Sequence, residues 1–366
     1  MSSLTCGFIG LGLIGGSIAK ALKENITGIR ILAYDINEDA LNAAYSDQVA
    51  DLITHSIDKN FTDCDYIFLC APVGKNDENL LKIRTFLSPG SILTDVGSVK
   101  ANIHEQVARL GLSGHFIGGH PMTGSERIGY LNSKPGLLEN AYYIMTPTAD
   151  IPPEKITAYQ TMIQKIGAIP LILDYHQHDY ITAAISHLPH VIAASLVNLV
   201  RDSDAEDGLM KMIAAGGFKD ITRIASSSAV MWQQICLTNT ENISVLLDAY
   251  INTLNVFKEQ LDGRDEEKLL SQFEQARIYR DSFIDTSSGP IKKSYSLNID
   301  IADEPGALAA IATILALNNI SIKNIGIVHN RELEEGVLRI EFYEETAVAG
   351  AKHILNAKGY LIHEKK

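Results

Sequence analysis

A chain of 366 residues exceeds what one hydrophobic core usually serves, so two or three domains are the starting expectation. Apolar residues make up 46 % of it and charged residues 20 %, a balance that excludes a disordered chain. A formal net charge of −13 with no basic block leaves no electrostatic footprint for nucleic acid.

No apolar run is expected to reach the roughly 18 to 20 residues that span a bilayer, so no membrane partner is expected. Met1 to Phe8 has no charged segment ahead of an apolar one, and a cytoplasmic protein is expected. Cys6, Cys64, Cys70 and Cys236 are scattered and lie mostly in apolar segments, which suits reduced thiols rather than a disulfide framework or a zinc site.

From Leu4 to about Pro147 short β-rich runs alternate with helical stretches: Cys6 to Gly10, Ile29 to Tyr34, Tyr66 to Cys70, Ile92 to Val96 and Phe116 to Gly119. Strands separated by helices predict an α/β fold, a Rossmann-type doubly wound parallel sheet over residues 1–174. The runs are apolar on consecutive positions, as expected where helices cover both faces.

From about Tyr175 apolar positions such as Ile181, Ile185, Leu188 and Ile192 recur at three and four residues, predicting an all-helical second domain over 175–288. Val191 to Val200 and Ile243 to Val256 are apolar nearly all round, so they are central to this domain or buried against a second copy. A homodimer is the economical expectation. The polar segment Asp285 to Lys293 reads as a linker. Residues 294–366 then read strand (Tyr295 to Ile301), helix (Gly306 to Leu317), strand (Ser321 to Val328), strand (Gly336 to Glu341), helix (Ala347 to Asn356) and a closing strand. That order is a ferredoxin-like βαββαβ unit.

The stretch Gly7 to Gly16 ends an apolar strand and enters a helical pattern, which is the context a dinucleotide glycine motif requires. Gly10 permits the tight turn, Gly12 lets the backbone approach a pyrophosphate, and Gly15 allows close helix packing. The helix start at Leu13 and Ile14 offers N–H groups to the phosphates. Asp35 ends the next strand 20 residues beyond Gly15 and would accept from both ribose hydroxyls, so NAD is favoured over NADP. Two further strand ends are candidates for the nicotinamide side: Ala71 and Pro72 after Cys70, and Ser98 within Asp95-Val96-Gly97-Ser98-Val99-Lys100. Ser98 alone could equally be the N-cap of a helix from Val99.

His120 stands on a glycine-flanked segment, Gly118 to Glu126, expected as a loop after its strand. A neutral imidazole there could take a proton from a hydroxyl as hydride leaves the same carbon. His187 and His190 are three residues apart on one helix face. No carboxylate or third imidazole stands at a convincing metal-ligand spacing, so substrate contact is preferred, with a satisfied buried histidine the competing reading for His187 above all. Lys219, Asp220 and Arg223 share one short segment, where a guanidinium fork suits a substrate carboxylate and a surface ion pair is the alternative.

These motifs, with Gly-Phe-Lys-Asp-Ile-Thr-Arg-Ile-Ala and Met231-Trp232, resemble the prephenate dehydrogenase family from about Cys6 to Arg280. The tail resembles an ACT domain through Asp303 to Leu308 and Asn319 to Ile325, a fold that often binds free amino acids between paired copies. The resemblance implies NAD-dependent oxidative decarboxylation of prephenate. His120 would accept the ring hydroxyl's proton, Ser98 would orient that hydroxyl and His120, and Arg223 would hold a substrate carboxylate. His190 would lie near the substrate, and Glu126 at the gate of the pocket. Tyrosine or another aromatic amino acid would act as effector at Pro305, Gly306, Ala307, Leu308, Asn319 and Asn324. One departure stands out: where the family continues with Asp-Pro after Ser226, this chain has Ser227-Ser228-Ala229-Val230, so an altered helix start beyond Arg223 is expected. The competing functions are an arogenate or dual-specificity dehydrogenase, a non-catalytic NAD and amino-acid sensor, and a small 3-hydroxy-acid dehydrogenase using Lys219.

Overall fold

The computed structural model describes residues 4–124, 127–286, 295–301, 304, 306–328 and 336–363. The chain divides into two compact units, Met1–Leu269 and Leu270–Lys366.

The first unit opens with β1 (Thr5–Ile9), α1 (Leu13–Asn25), β2 (Arg30–Tyr34), α2 (Glu38–Ser46), β3 (Leu52–Thr54), β4 (Tyr66–Leu69), α3 (Val73–Ile83), β5 (Ile92–Asp95) and α4 (Ala101–Arg109). The five strands form a parallel sheet in the order β3-β2-β1-β4-β5. Alternate strand residues feed cores on opposite faces, as the period-2 geometry of a strand requires. Cys6, Phe8 and Phe68 go to one core, and Ile9, Ile67 and Leu69 to the other. The Phe8 and Phe68 rings stack at 4.8 Å.

A second, three-stranded sheet follows from β6 (Ile117–Pro121), β7 (Tyr142–Pro147) and, after α5 (Pro153–Lys165), β8 (Ile169–Ile172). Phe116, just ahead of β6, bridges Leu93 of β5 in parallel and β7 pairs with β8 in parallel, but β6 and β7 run antiparallel, so the expected wholly parallel arrangement is broken at that pair. Pro170 sits in β8, an edge strand of this sheet, where a missing N–H is tolerated.

The helical part comprises α6 (Tyr175–Thr182), a π-helical turn (Ala183–His187), α7 (Leu188–Ser203), α8 (Leu209–Ile213), α9 (Gly216–Thr222), α10 (Ala229–Thr238) and α11 (Thr240–Asp262), and α12 (Glu266–Thr286) begins in this unit and falls mostly within the second. The run Tyr175–Ser203 is 29 residues and apolar enough to cross a bilayer by length and composition, which corrects the expectation that no run reaches that length. Its inward face is the polar one: His178, Asp179, Thr182 and His187 are buried, whereas Ile185 is 62 % exposed. Of the apolar positions that mark this helix in the sequence, Ile181, Leu188 and Ile192 are half-buried, so the apolar side is only partly covered within a single chain. Leu199 on α7 and Val245, Ile251 and Leu254 on α11 are exposed as well, so these stretches are not central to the helical part.

In the second unit β9 (Tyr295–Ile301), α13 (Ala307–Leu317), β10 (Ile322–Val328), β11 (Gly336–Phe342), α14 (Glu345–Ala357) and β12 (Ile362–His363) follow in the expected βαββαβ order. The antiparallel sheet runs β10-β11-β9-β12, so the first and third strands lie at its centre, as in a ferredoxin-like unit. Its core is Ile299, Ile311, Leu315, Leu338, Ile340 and Leu355.

A buried polar joint ties the first sheet to β6 and α6. The Lys100 ammonium, fully out of solvent, pairs with Asp95 and donates to the Gly119 carbonyl at 2.8 Å. Asp95 also accepts from Gly97 and Gly119 N–H, and Asp179 on α6 accepts from the N–H groups of Lys100 and Ala101 at 2.8 Å each. Removing one partner of a buried pair leaves an uncompensated charge. Lys100→Met is therefore expected to destabilise the protein by about 3–5 kcal/mol in urea unfolding, and a loss below about 1 kcal/mol would show that the pair does not hold this joint.

Candidate active site

The glycine motif closes on the sheet as a nucleotide cradle must. Gly10 has φ +103°, and a Cβ there would lie 2.7 Å from the Cys70 carbonyl carbon. A Cβ on Gly15 would stand 2.6 Å from the Gly10 oxygen, so α1 packs against the turn only because that position is glycine. Gly12, the N-cap of α1, has open space where its side chain would be, and no side chain caps the helix. The first-turn N–H groups at Leu13 and Ile14 thus have the polarity a pyrophosphate needs. Asp35 follows β2 and fastens the loop, accepting from Leu11 N–H at 2.5 Å and Asn37 N–H at 2.8 Å. This cradle fits a dinucleotide. Ala71 and Pro72 follow β4 beside it, with Pro72 capping α3.

Ser98 does not cap a helix: α4 begins at Ala101, its N-cap is Lys100, and no side chain caps it. The serine sits half-buried on the turn between β5 and α4, held by the Asp95–Lys100 pair. His120 lies within β6, paired with Ile144, and not on the loop expected from its glycines. Its Nδ1 is 2.8 Å from His178 Nε2, and His178 Nδ1 is 2.7 Å from Asp179 Oδ1. Sequence reasoning missed His178 and Asp179. Their signal was a polar group of 178, 179 and 182 on one face of an apolar helix.

The π turn lies directly ahead of His190, and such turns recur at functional sites. His187 is buried, and its Nδ1 accepts from the Asn239 amide at 3.1 Å. His190 Nδ1 donates to the Ser186 carbonyl, and its ring stacks on Trp232 at 3.6 Å. The turn Arg223–Ser226 packs against α7, and the His190 pKa is lowered by burial and by the Arg223 guanidinium, against the raising effect of the Ser186 hydrogen bond. The Trp232 indole N–H is buried without a hydrogen-bond partner among the described residues. Lys219 is exposed on α9.

The departure after Ser226 proves self-contained. Arg223–Ser226 forms a 3-10 turn closed by Ser227, and Ser228 caps α10, which carries Trp232. Glu126 and Pro305 lie outside the described residues. Gly306, with φ +95°, is the N-cap of α13, Ala307 packs on the core of the second unit and Leu308 is exposed. Asn319 takes a left-handed conformation just after α13, and Asn324 accepts from Ile325 N–H.

Burial drives the His120 pKa well below its usual range, assisted by His178, Lys100 and His187. Burial likewise takes His104 and His187 down to about 4. Between pH 6.5 and 4 these rings are neutral when folded and protonated when unfolded. The unfolded state binds more protons, so stability falls as pH drops through this window, by about 1.4 kcal/mol per pH unit per histidine. His104 stacks on Tyr175, so His104→Phe keeps the packing. Urea unfolding from pH 6.5 to 4.5 should show the variant's pH slope reduced by about one proton. An unchanged slope would mean that His104 is charged in the fold.

Two family descriptions match this chain: the nucleotide-binding domain of prephenate dehydrogenase over residues 18–171, and its dimerization domain over residues 174–275. The chain is 36 % identical over 354 residues to a prephenate dehydrogenase of Bacillus subtilis (strain 168), covering 95 % of each. The crystal structure of prephenate dehydrogenase from A. aeolicus in complex with hydroxyphenyl propionate and NAD+ matches with TM-score 0.73 and 31 % identity, over 77 % of this chain and 99 % of that one. The Synechocystis arogenate dehydrogenase structure matches with TM-score 0.71 and 28 % identity, over 76 % of this chain and 100 % of that one. Cradle, sequence and fold agree: the chain belongs to the prephenate dehydrogenase family of NAD-dependent enzymes.

Proposed function

We propose that this enzyme oxidatively decarboxylates prephenate to 4-hydroxyphenylpyruvate on the route to tyrosine, with His120 as the base. The observation that carries the reading is His120 itself, an imidazole kept neutral by burial near the carboxyl end of β6, one residue beyond the clamped Gly119. NAD+ supplies the hydride acceptor when bound. His120 takes the proton of the ring hydroxyl, and Ser98, on the turn beside it, orients that hydroxyl. Arg223 holds a substrate carboxylate, with His190 and Trp232 as the wall next to it and Lys219 as a further substrate contact. Loss of CO2 makes the ring aromatic, so much of the driving force resides in the substrate and the protein's part is positioning and proton removal.

Prephenate is favoured by the identity to the Bacillus subtilis relative over nearly the whole chain. The comparable likeness to the Synechocystis arogenate dehydrogenase makes arogenate the alternative substrate. Exposed apolar residues on α7 and α11, in the region matched by a dimerization domain, support a homodimer. The second unit, with its ferredoxin-like order and uncapped start of α13, is proposed as an ACT domain through which an aromatic amino acid lowers activity.

NADH absorbance at 340 nm, with prephenate and arogenate offered separately, tests the reaction. Turnover of prephenate that falls by a factor on the order of 100 or more in His120→Asn is expected. Turnover of arogenate alone would move the substrate assignment, and no turnover with either would sink the enzymatic reading. Tyrosine titration of a variant ending near Asp285 tests the regulation: sensitivity should be lost, and its retention would rule out the second unit as the route.

A further inference from the structure

The hydrogen bonds around His120 determine which of its nitrogens is the base, and this inference rests on the proposed role of that residue. The Asp179 carboxylate already accepts from Lys100 and Ala101 N–H and has no hydrogen to give, so His178 Nδ1, at 2.7 Å, must be the donor. A neutral His178 then has an acceptor at Nε2. That nitrogen faces His120 Nδ1 at 2.8 Å, so His120 donates there and its own Nε2 carries the free lone pair. The His120 and His178 rings meet edge-on at 75°, which fixes the plane of the base as well as its tautomer.

We infer that His178 and Asp179 are positioning residues that hold His120 as the Nδ1–H tautomer, with Nε2 as the proton acceptor. When Nε2 takes the proton of the substrate hydroxyl, His120 becomes an imidazolium and both its N–H bonds remain. Nδ1–H still donates to His178, and Asp179 supplies the compensating charge without being protonated itself, the arrangement by which a carboxylate orients a catalytic imidazole. The proton returns to solvent from Nε2 after the product leaves. Because His120 comes from β6 and its two supports from α6, the base is correctly oriented only when the sheet and the helical part are joined through the α4 N-terminus.

Two substitutions separate this role from mere packing. His178→Gln can accept from His120 and donate to Asp179, preserving both hydrogen bonds, whereas His178→Leu can do neither. The expected result is a kcat lowered about 100-fold in His178→Leu and by no more than roughly tenfold in His178→Gln, with KM and the Kd for NAD+ by calorimetry changed less than about threefold in both. Nitrogen-15 NMR of histidine-labelled, unsubstituted protein should place the His120 hydrogen on Nδ1. A hydrogen on Nε2, or a His178→Leu enzyme within about twofold of the parent kcat while His120→Asn is inactive, would overturn the inference. Should His120→Asn itself keep full activity, the assignment of the base falls, and the tautomer measurement still decides the geometry.

Discussion

Charges withdrawn from water set the geometry of this site. A buried ion has to be met by partners on every side or the fold loses more than the pair returns, so its neighbours have little freedom. Asp95 and Lys100 use this by clamping one residue on both of its backbone sides: Asp95 receives the Gly119 N–H and Lys100 donates to the Gly119 carbonyl. The next residue is His120. Gly119 must be glycine for the clamp to close, since a Cβ there would stand 2.6 Å from both the Asp95 carbonyl and the Tyr143 hydroxyl. A backbone fixed on both sides gives the imidazole a fixed origin, and His178 then sets its direction. The cofactor cradle at the start of the chain rests on sterics instead, on glycines that admit no side chain.

How far the sequence was legible follows from the kind of interaction involved. Consecutive apolar runs disclosed β1, β2, β4 and β5 because strands covered on both faces need no alternation. The cradle was legible because each glycine and Asp35 answers a local demand at fixed spacing. β3 is three residues long, and β8 contains a proline, so neither carried a signal of normal strength. His120 was assigned to a loop because the glycines around it suggest turns, whereas here they serve close approach between β5, β6 and β7. The regular order of the second unit was visible since its core follows a simple βαββαβ repeat of apolar positions.

The least legible feature was the orientation of the long helix from Tyr175 to Ser203. Periodicity shows that one face is apolar but not whether that face meets the chain's own core, and the ordinary assumption is that it does. Here the inward face holds His178, Asp179, Thr182 and His187, each buried. The outward face keeps exposed aliphatic side chains such as Ile185 and Leu199. A helix inverted in this way needs two things: polar partners inside, which Asn239 and the N-terminus of α4 supply, and a second apolar surface outside, which a homodimer would supply. Assembly and catalysis would then share one element, since the surface pairing two copies would be the back of the helix that carries His178 and Asp179.

The division of the chain also bears on how regulation could reach the site. The A. aeolicus structure, matched over 99 % of its own length, covers only 77 % of this chain, whereas the Bacillus subtilis relative covers 95 %. The second unit, Leu270–Lys366, is the proposed place of the effector. An effector bound there can alter turnover only by having different affinities for two states of the whole protein. The candidate for a two-state element is the joint between sheet and helices. His120 belongs to one part and its supports to the other, so a small displacement of α6 against α4 would break the Asp179 contacts, loosen the tautomer and leave NAD binding at β1 and β2 untouched. Regulation by that route would lower kcat at constant cofactor affinity, whereas competition by the same amino acid at the substrate pocket would raise KM.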